Sequence, residues 1–111
     1  ELWVLELRPR EGDLPSEEAP RILPRADAVI ITAMTLMNGT FDGLIGLCRH
    51  GARVLLVGPS TPLSPLLFDF GVTALCGAEV VEVETALRGV SEGANFHQLR
   101  GLGVRYATLV R

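Results

Sequence analysis

The sequence contains no lysine; all ten of its basic residues are arginine. Schiff-base chemistry needs an amine side chain and a phosphate-binding P-loop needs Gly-Lys-Ser/Thr, so both are excluded for this chain. Cysteine is nearly absent too. Cys48 and Cys76 stand too far apart for a CxxC unit, which removes a disulfide framework and a four-thiolate zinc site and leaves reduced, mostly buried thiols as the expectation. There is no apolar run of the roughly 18 to 20 residues that cross a bilayer, and no basic start followed by an apolar core and a small-residue cleavage site. A cytoplasmic protein without a membrane partner is expected. Surplus positive charge is lacking as well: the formal net charge is −3, so nucleic acid is not an expected partner. Finally, no G-x-G-x-x-G, internal repeat or low-complexity tract occurs.

What remains is a chain of 111 residues, 48% hydrophobic, which bounds it to one domain spanning 1–111. It begins at Glu1 and enters a strand-like run at once, so a segment or domain ahead of it is expected. Leu2 to Leu7 reads as a strand, closed by the turn-forming Arg8 to Asp13. Ser16 is placed to cap a short helix with Glu17 and Glu18 in its first turn, curtailed by Pro20 and Pro24. Ala28-Val29-Ile30-Ile31-Thr32 and Arg53-Val54-Leu55-Leu56-Val57 are uninterrupted apolar runs of the kind found in parallel sheets. Between them Phe41, Leu44, Ile45 and Cys48 fall at i, i+3, i+4 and i+7, which predicts a helix, with Gly51 as a left-handed C-cap. Ser64-Pro65 opens another short helix that Gly71 ends, Val72 to Cys76 is a strand, Val80 to Val90 and Asn95 to Leu99 read as helical, and Val104 to Val110 as a closing strand. Strands spaced by helices predict an α/β fold: a three-layer, Rossmann-like domain with a mainly parallel sheet.

In such sheets ligands bind beyond the carboxyl ends of the strands. That rule selects Glu6, Thr32 to Thr40, Gly58 to Ser64 and Gly77. Asn38-Gly39-Thr40 leads into a helix start, where free N–H groups and the Asn38 and Thr40 side chains make a neutral nest for an anion; the commoner use of Asn and Thr there is to cap the helix. Gly58-Pro59-Ser60-Thr61-Pro62 is a second polar turn, stiffened by two prolines and offering the Ser60 and Thr61 hydroxyls without charge. It is no nucleophile elbow, because GxSxG needs glycine at 62. Glu6 sits where a Rossmann domain often places an acid on a ribose; without the glycine fingerprint, pairing with Arg8 or Arg10 is the better expectation. His50 is expected in the last turn of the central helix and His97 in a late helical piece. Cys48 and His50 are two apart and face different directions on a helix, so they do not chelate together. No residue is assigned a catalytic role, and no specific metal ligand emerges.

Taken in order, Val4-Leu5-Glu6, Gly12-Asp13, Ala26-Asp27-Ala28-Val29-Ile30-Ile31-Thr32, Thr35-Leu36-Met37-Asn38-Gly39-Thr40, Gly58-Pro59-Ser60-Thr61-Pro62-Leu63-Ser64-Pro65 and Gly71-Val72 resemble the Rossmann-like domain of the family called putative heavy-metal chelation, best over positions 4 to 81. The resemblance implies a prokaryotic protein of unknown function. It implies a cleft for a small molecule or metal, lined by Thr32, Asn38, Gly39, Thr40, Gly58, Pro59, Ser60 and Thr61 with Glu6 at its margin. A transition metal is the implied cofactor, in a context of metal handling or anaerobic cobalamin synthesis. In that family an enolase-amino-terminal-like domain precedes this one, together with a first, central strand that this chain lacks. A missing N-terminal segment or a homo-oligomer is therefore expected to complete the sheet. Three readings follow: a ligand-binding domain contributing part of a cleft for a metal-bearing or anionic small molecule; a domain of a cobalamin-related transferase whose catalytic groups lie outside this chain; or a structural, interaction module.

Overall fold

The computed structural model describes residues 1–111. Its main sheet has four strands, β3 (Ala28–Thr32), β4 (Arg53–Val57), β5 (Ala74–Val80) and β6 (Val104–Val110), in that spatial order. The first three are parallel and β6 runs antiparallel to β5. A separate parallel pair, β1 (Leu5–Glu6) and β2 (Leu14–Pro15), forms no ladder with the main sheet. The expected strand over Leu2 to Leu7 is thus only two residues long, since a strand extends only as far as it has a partner for its N–H and C=O groups. The architecture is mixed α/β with a mainly parallel sheet, as expected.

Alternation along the strands builds one face of the core. Val29 and Ile31 of β3 pair with Val54 and Leu56 of β4, and Leu56 pairs with Leu75 of β5. All five are buried, Leu56 and Leu75 completely. This face carries α1 (Ala19–Ile22), α2 (Met34–Asn38) and α3 (Phe41–Leu47), with Ala19, Leu23 and Phe41 joining the same cluster. Ser16 does not cap by its side chain: Pro15 is the N-cap, and a 3-10 turn, α1 and a second 3-10 turn follow in succession through Arg25. Glu18 pairs with Arg21 across that segment.

The opposite face is covered unequally. Phe96 of α5 (Phe96–Leu99) meets Tyr106 edge-on at 5.4 Å, and the buried Ala86 and Gly89 of α4 (Val83–Ser91) turn inward, so these helices shield the far end of β5 and β6. Toward β3 the face is bare, and Ile30 is 70% exposed. Three further expectations shift. Cys48 rather than Gly51 is the C-cap of α3, because α3 ends at Leu47; Gly51, at φ 84°, instead shapes the following turn, and His50 lies in that turn, not in the helix. The fourth predicted strand runs on to Val80, carried by its antiparallel ladder with β6, so α4 starts at Val83 instead of Val80. The helix at Ser64-Pro65 is a 3-10 segment through Phe70, closed by Gly71 at φ 99°.

Candidate functional site

The carboxyl ends of β3, β4 and β5 converge. Ala33 N–H donates to the Val57 carbonyl at 2.8 Å and Gly58 N–H to the Cys76 carbonyl at 3.1 Å, so the loop after each strand is anchored to its neighbour. The β4 loop then folds inward. A Cβ built on Gly77 would lie 2.7 Å from the Thr61 carbonyl oxygen and 3.2 Å from the Leu63 side chain, so only glycine lets the Gly58 to Thr61 turn settle on β5. Gly58, at φ 129°, faces Ala33 at 3.8 Å from its own missing Cβ. The Gly58 turn therefore touches the loop after β3 at Ala33, the residue that follows Thr32.

Between β3 and α3, where the residue pattern predicts only a connection, the chain makes a helix. Five residues, Met34 to Asn38, form α2, and Gly39 at φ 77° is its left-handed C-cap. Gly39 is needed for that conformation rather than for clearance, since nothing lies within 4 Å of the Cβ it lacks. Thr35, buried, holds the turn by donating its hydroxyl to the Thr32 carbonyl at 2.7 Å. Only tertiary burial marks it as a positioning residue. Thr32 Oγ1 accepts from Met34 N–H at 3.4 Å. Asn38 and Thr40 bind one another: Asn38 Oδ1 accepts from Thr40 N–H at 3.1 Å and from Thr40 Oγ1 at 2.6 Å. Neither caps α3 with its side chain. Thr40 N–H also reaches the Thr35 carbonyl at 3.0 Å, so that donor of the expected nest is already engaged within the turn.

Thr32, Asn38, Gly39, Thr40, Pro59 and Ser60 are exposed and Gly58 is half-buried, while Thr61 is 4% exposed. Thr61 Oγ1 has no hydrogen-bond partner. No charged side chain occurs in 32–40 or 58–64, so the edge is neutral. It offers hydroxyls, an amide and backbone donors, without a base paired to a nucleophile.

Glu6 stands apart. It lines a polar groove of about 590 Å³ with Val4, Arg8, Arg10, Glu11 and Asp13, which includes none of the loop residues above. The expected pairing of Glu6 with Arg8 or Arg10 is not formed; the ion pairs are Glu18–Arg21, Asp27–Arg49 and Glu79–Arg105. The exposed Arg8 and Arg10 side chains gain too little from such contacts to be held in them. The two thiols lie on opposite faces of the sheet. Cys48 packs against the core, with burial pushing its thiol up from the ordinary 9.0, whereas Cys76 on the bare face accepts from Thr108 Oγ1 at 3.8 Å. No group of three or more His, Cys, Asp and Glu residues comes together to hold a metal ion. Nor is any helix long and apolar enough to cross a membrane.

A family profile described as putative heavy-metal chelation, DUF364, matches residues 1–109. The chain belongs to this family. Within DUF364, a solved structure of unknown function from Desulfitobacterium hafniense DCB-2 is 37% identical and superposes with a TM-score of 0.83 over 98% of this chain and 44% of its own. A second, from Pyrococcus horikoshii, is 24% identical with a TM-score of 0.81, covering 100% of this chain and 46% of its own, and supports the fold alone. An uncharacterized Methanocaldococcus jannaschii protein is 29% identical over 96% of this chain and 42% of its own length. The chain thus spans under half the length of each of these relatives. The DUF364 description names a metal; the donors gathered on this edge are neutral oxygens, which do not by themselves fit a heavy-metal chelate.

Proposed function

We propose that this DUF364 chain is a ligand-binding domain whose carboxyl edge forms one wall of a cleft for an anionic or metal-bearing small molecule. Thr32, Asn38, Gly39, Thr40, Gly58, Pro59, Ser60 and Thr61 line it, whereas Glu6, in its separate groove, is not counted among them. One observation carries the reading: the Thr61 hydroxyl is buried at the turn between β4 and β5 with no partner. A buried hydroxyl left unpaired costs about 1–3 kcal/mol, a cost that a ligand or bound water would recover. The neutral character of the edge supports the same role. Hydroxyl, amide and backbone donors suit an anion that brings its own charge or its own coordinated metal, and the metal's remaining ligands come from that molecule or from outside these residues.

Calorimetric titration of the protein with cobalt(II), zinc(II) and inorganic phosphate tests this. Binding of any one that is lost in Asn38→Ala or Ser60→Ala, with the unfolding midpoint unchanged, supports a site. Retained binding in both variants, or no binding by any probe, sinks it.

A further inference from the structure

The chain holds two asparagines, and they stand in contrasting surroundings. Asn95 precedes Phe96, and its side chain is committed to the capping box of α5. Asn38 precedes Gly39 in an exposed turn, and nothing lies within 4 Å of the Cβ that Gly39 lacks. A following residue without a side chain leaves its backbone nitrogen free to close on the asparagine side chain before it. The Asn38 carboxamide is also polarised. Its Oδ1 accepts two hydrogen bonds, from Thr40 N–H at 3.1 Å and from Thr40 Oγ1 at 2.6 Å. Two donors on one carbonyl oxygen draw electron density from Cγ and stand where negative charge gathers when a nucleophile adds there, which is how an oxyanion hole works. The nucleophile, Gly39 N–H, donates to the Thr35 carbonyl as the last bond of α2. That bond opens at low cost. α2 is only five residues long, and the Thr35 carbonyl keeps Thr40 N–H, at 3.0 Å, as a partner when Gly39 lets go.

We propose that Asn38-Gly39 is a self-modifying site, which converts its own amide to a carboxylate with Thr40 as the oxyanion donor. The Gly39 nitrogen attacks Asn38 Cγ and gives up its proton. The bond from Gly39 N to Asn38 Cγ forms, the bond from Cγ to Nδ2 breaks, and the amide nitrogen leaves with that proton as ammonia. Water then opens the five-membered imide at either carbonyl, leaving an aspartyl or an isoaspartyl residue at position 38; no other reactant is consumed. The consequence, which rests on the cleft proposed above, is a change of ligand class. A neutral edge gains one negative charge, which repels an anion and supplies a carboxylate oxygen of the kind that suits magnesium, calcium or manganese.

The test ages the folded chain at neutral pH and cleaves samples after Arg25 and Arg49 under mildly acid conditions. The released segment 26–49 has Asn38 as its one carboxamide side chain, so mass spectrometry and chromatography read the conversion at that residue alone. The expected result is that aspartyl and isoaspartyl products accumulate at position 38 while Asn95 stays intact. Thr40→Val slows the conversion roughly tenfold, less than the loss of a donor from a buried enzyme site because this turn is exposed, and Thr40→Ser restores the rate. No conversion, equal conversion at Asn38 and Asn95, or a Thr40→Val rate equal to the parent's overturns the proposal. None of these outcomes depends on cobalt, zinc or phosphate binding at the carboxyl edge, so the conversion and the cleft fail separately.

Discussion

A hydroxyl removed from water without a partner opposes folding, and Thr61 Oγ1 is in that position. Valine has nearly the shape of threonine without the hydroxyl, so Thr61→Val is expected to raise the stability of the chain by about 1 kcal/mol, read from the denaturant midpoint at unchanged slope. The same variant loses probe binding if the hydroxyl faces a ligand, the usual conflict between stability and function at a site. Cys48 gives a pH dependence. Burial raises its thiol pKa in the folded state above the ordinary 9.0, so folding favours the protonated thiol; that contribution is complete below pH 9.0 and is lost as the pH rises through the folded value. Thermal unfolding scanned from pH 7 to 11 should therefore show a falling midpoint in the alkaline range, with the fall reduced in Cys48→Ala. Neither residue announces its role in sequence. Thr61 reads as one of two neighbouring hydroxyl residues, and only the close approach of Gly77 separates the buried Thr61 from the exposed Ser60.

Among the elements, α5 is the best capped. Asn95 accepts from Gln98 N–H at 3.1 Å while the Gln98 side chain accepts from Asn95 N–H at 2.9 Å, a complete capping box on a four-residue helix. So short a helix has little stability of its own, so Asn95→Ala should cost about 1 kcal/mol and weaken the Phe96–Tyr106 contact, seen as a lower melting temperature and altered tyrosine fluorescence. The junction of β5 with α4 hangs on Gly103. Its carbonyl accepts from Val81 and Glu82 N–H at 2.8 and 3.1 Å, its φ is 84°, and a Cβ there would lie 2.5 Å from the Glu82 carbonyl oxygen. Gly103→Ala is expected to cost roughly 1–3 kcal/mol in chemical denaturation and to loosen α4 ahead of the sheet. Elements were legible where their signal is local. The apolar runs of β3 and β4 and the alternation of β6 appear with the boundaries expected from sequence. α2 is not legible in the sequence, because five residues fall short of the window in which a helical period shows, although Gly39 carries its stop signal.

At the scale of the molecule the chain is extended for its size. Its Cα radius of gyration is 15.9 Å and its principal extents are 46 × 33 × 25 Å, against about 13 Å for the radius of a compact chain of this length. Only 19 residues are buried, and two of the most deeply buried, Leu56 and Leu75, lie on β4 and β5. Hydrogen exchange on the free chain should therefore be slowest at Val54, Leu56 and Leu75, and fast in β1 and β2, whose pairing is two residues long; equal protection across both sheets would contradict this ordering. The sequence by itself determined the alternation of strand and helix, the main strands, the neutral glycine- and proline-rich motifs at 38–40 and 58–62, and the absence of lysine chemistry, because these are carried by residue type and short-range period. Tertiary structure alone decided that β6 runs antiparallel, that Thr61 is buried while Ser60 is not, that Glu6 stands away from the loop pair, and that β3 is an edge. Each of those depends on which distant backbone groups and faces find partners, and no local pattern of side chains encodes that pairing.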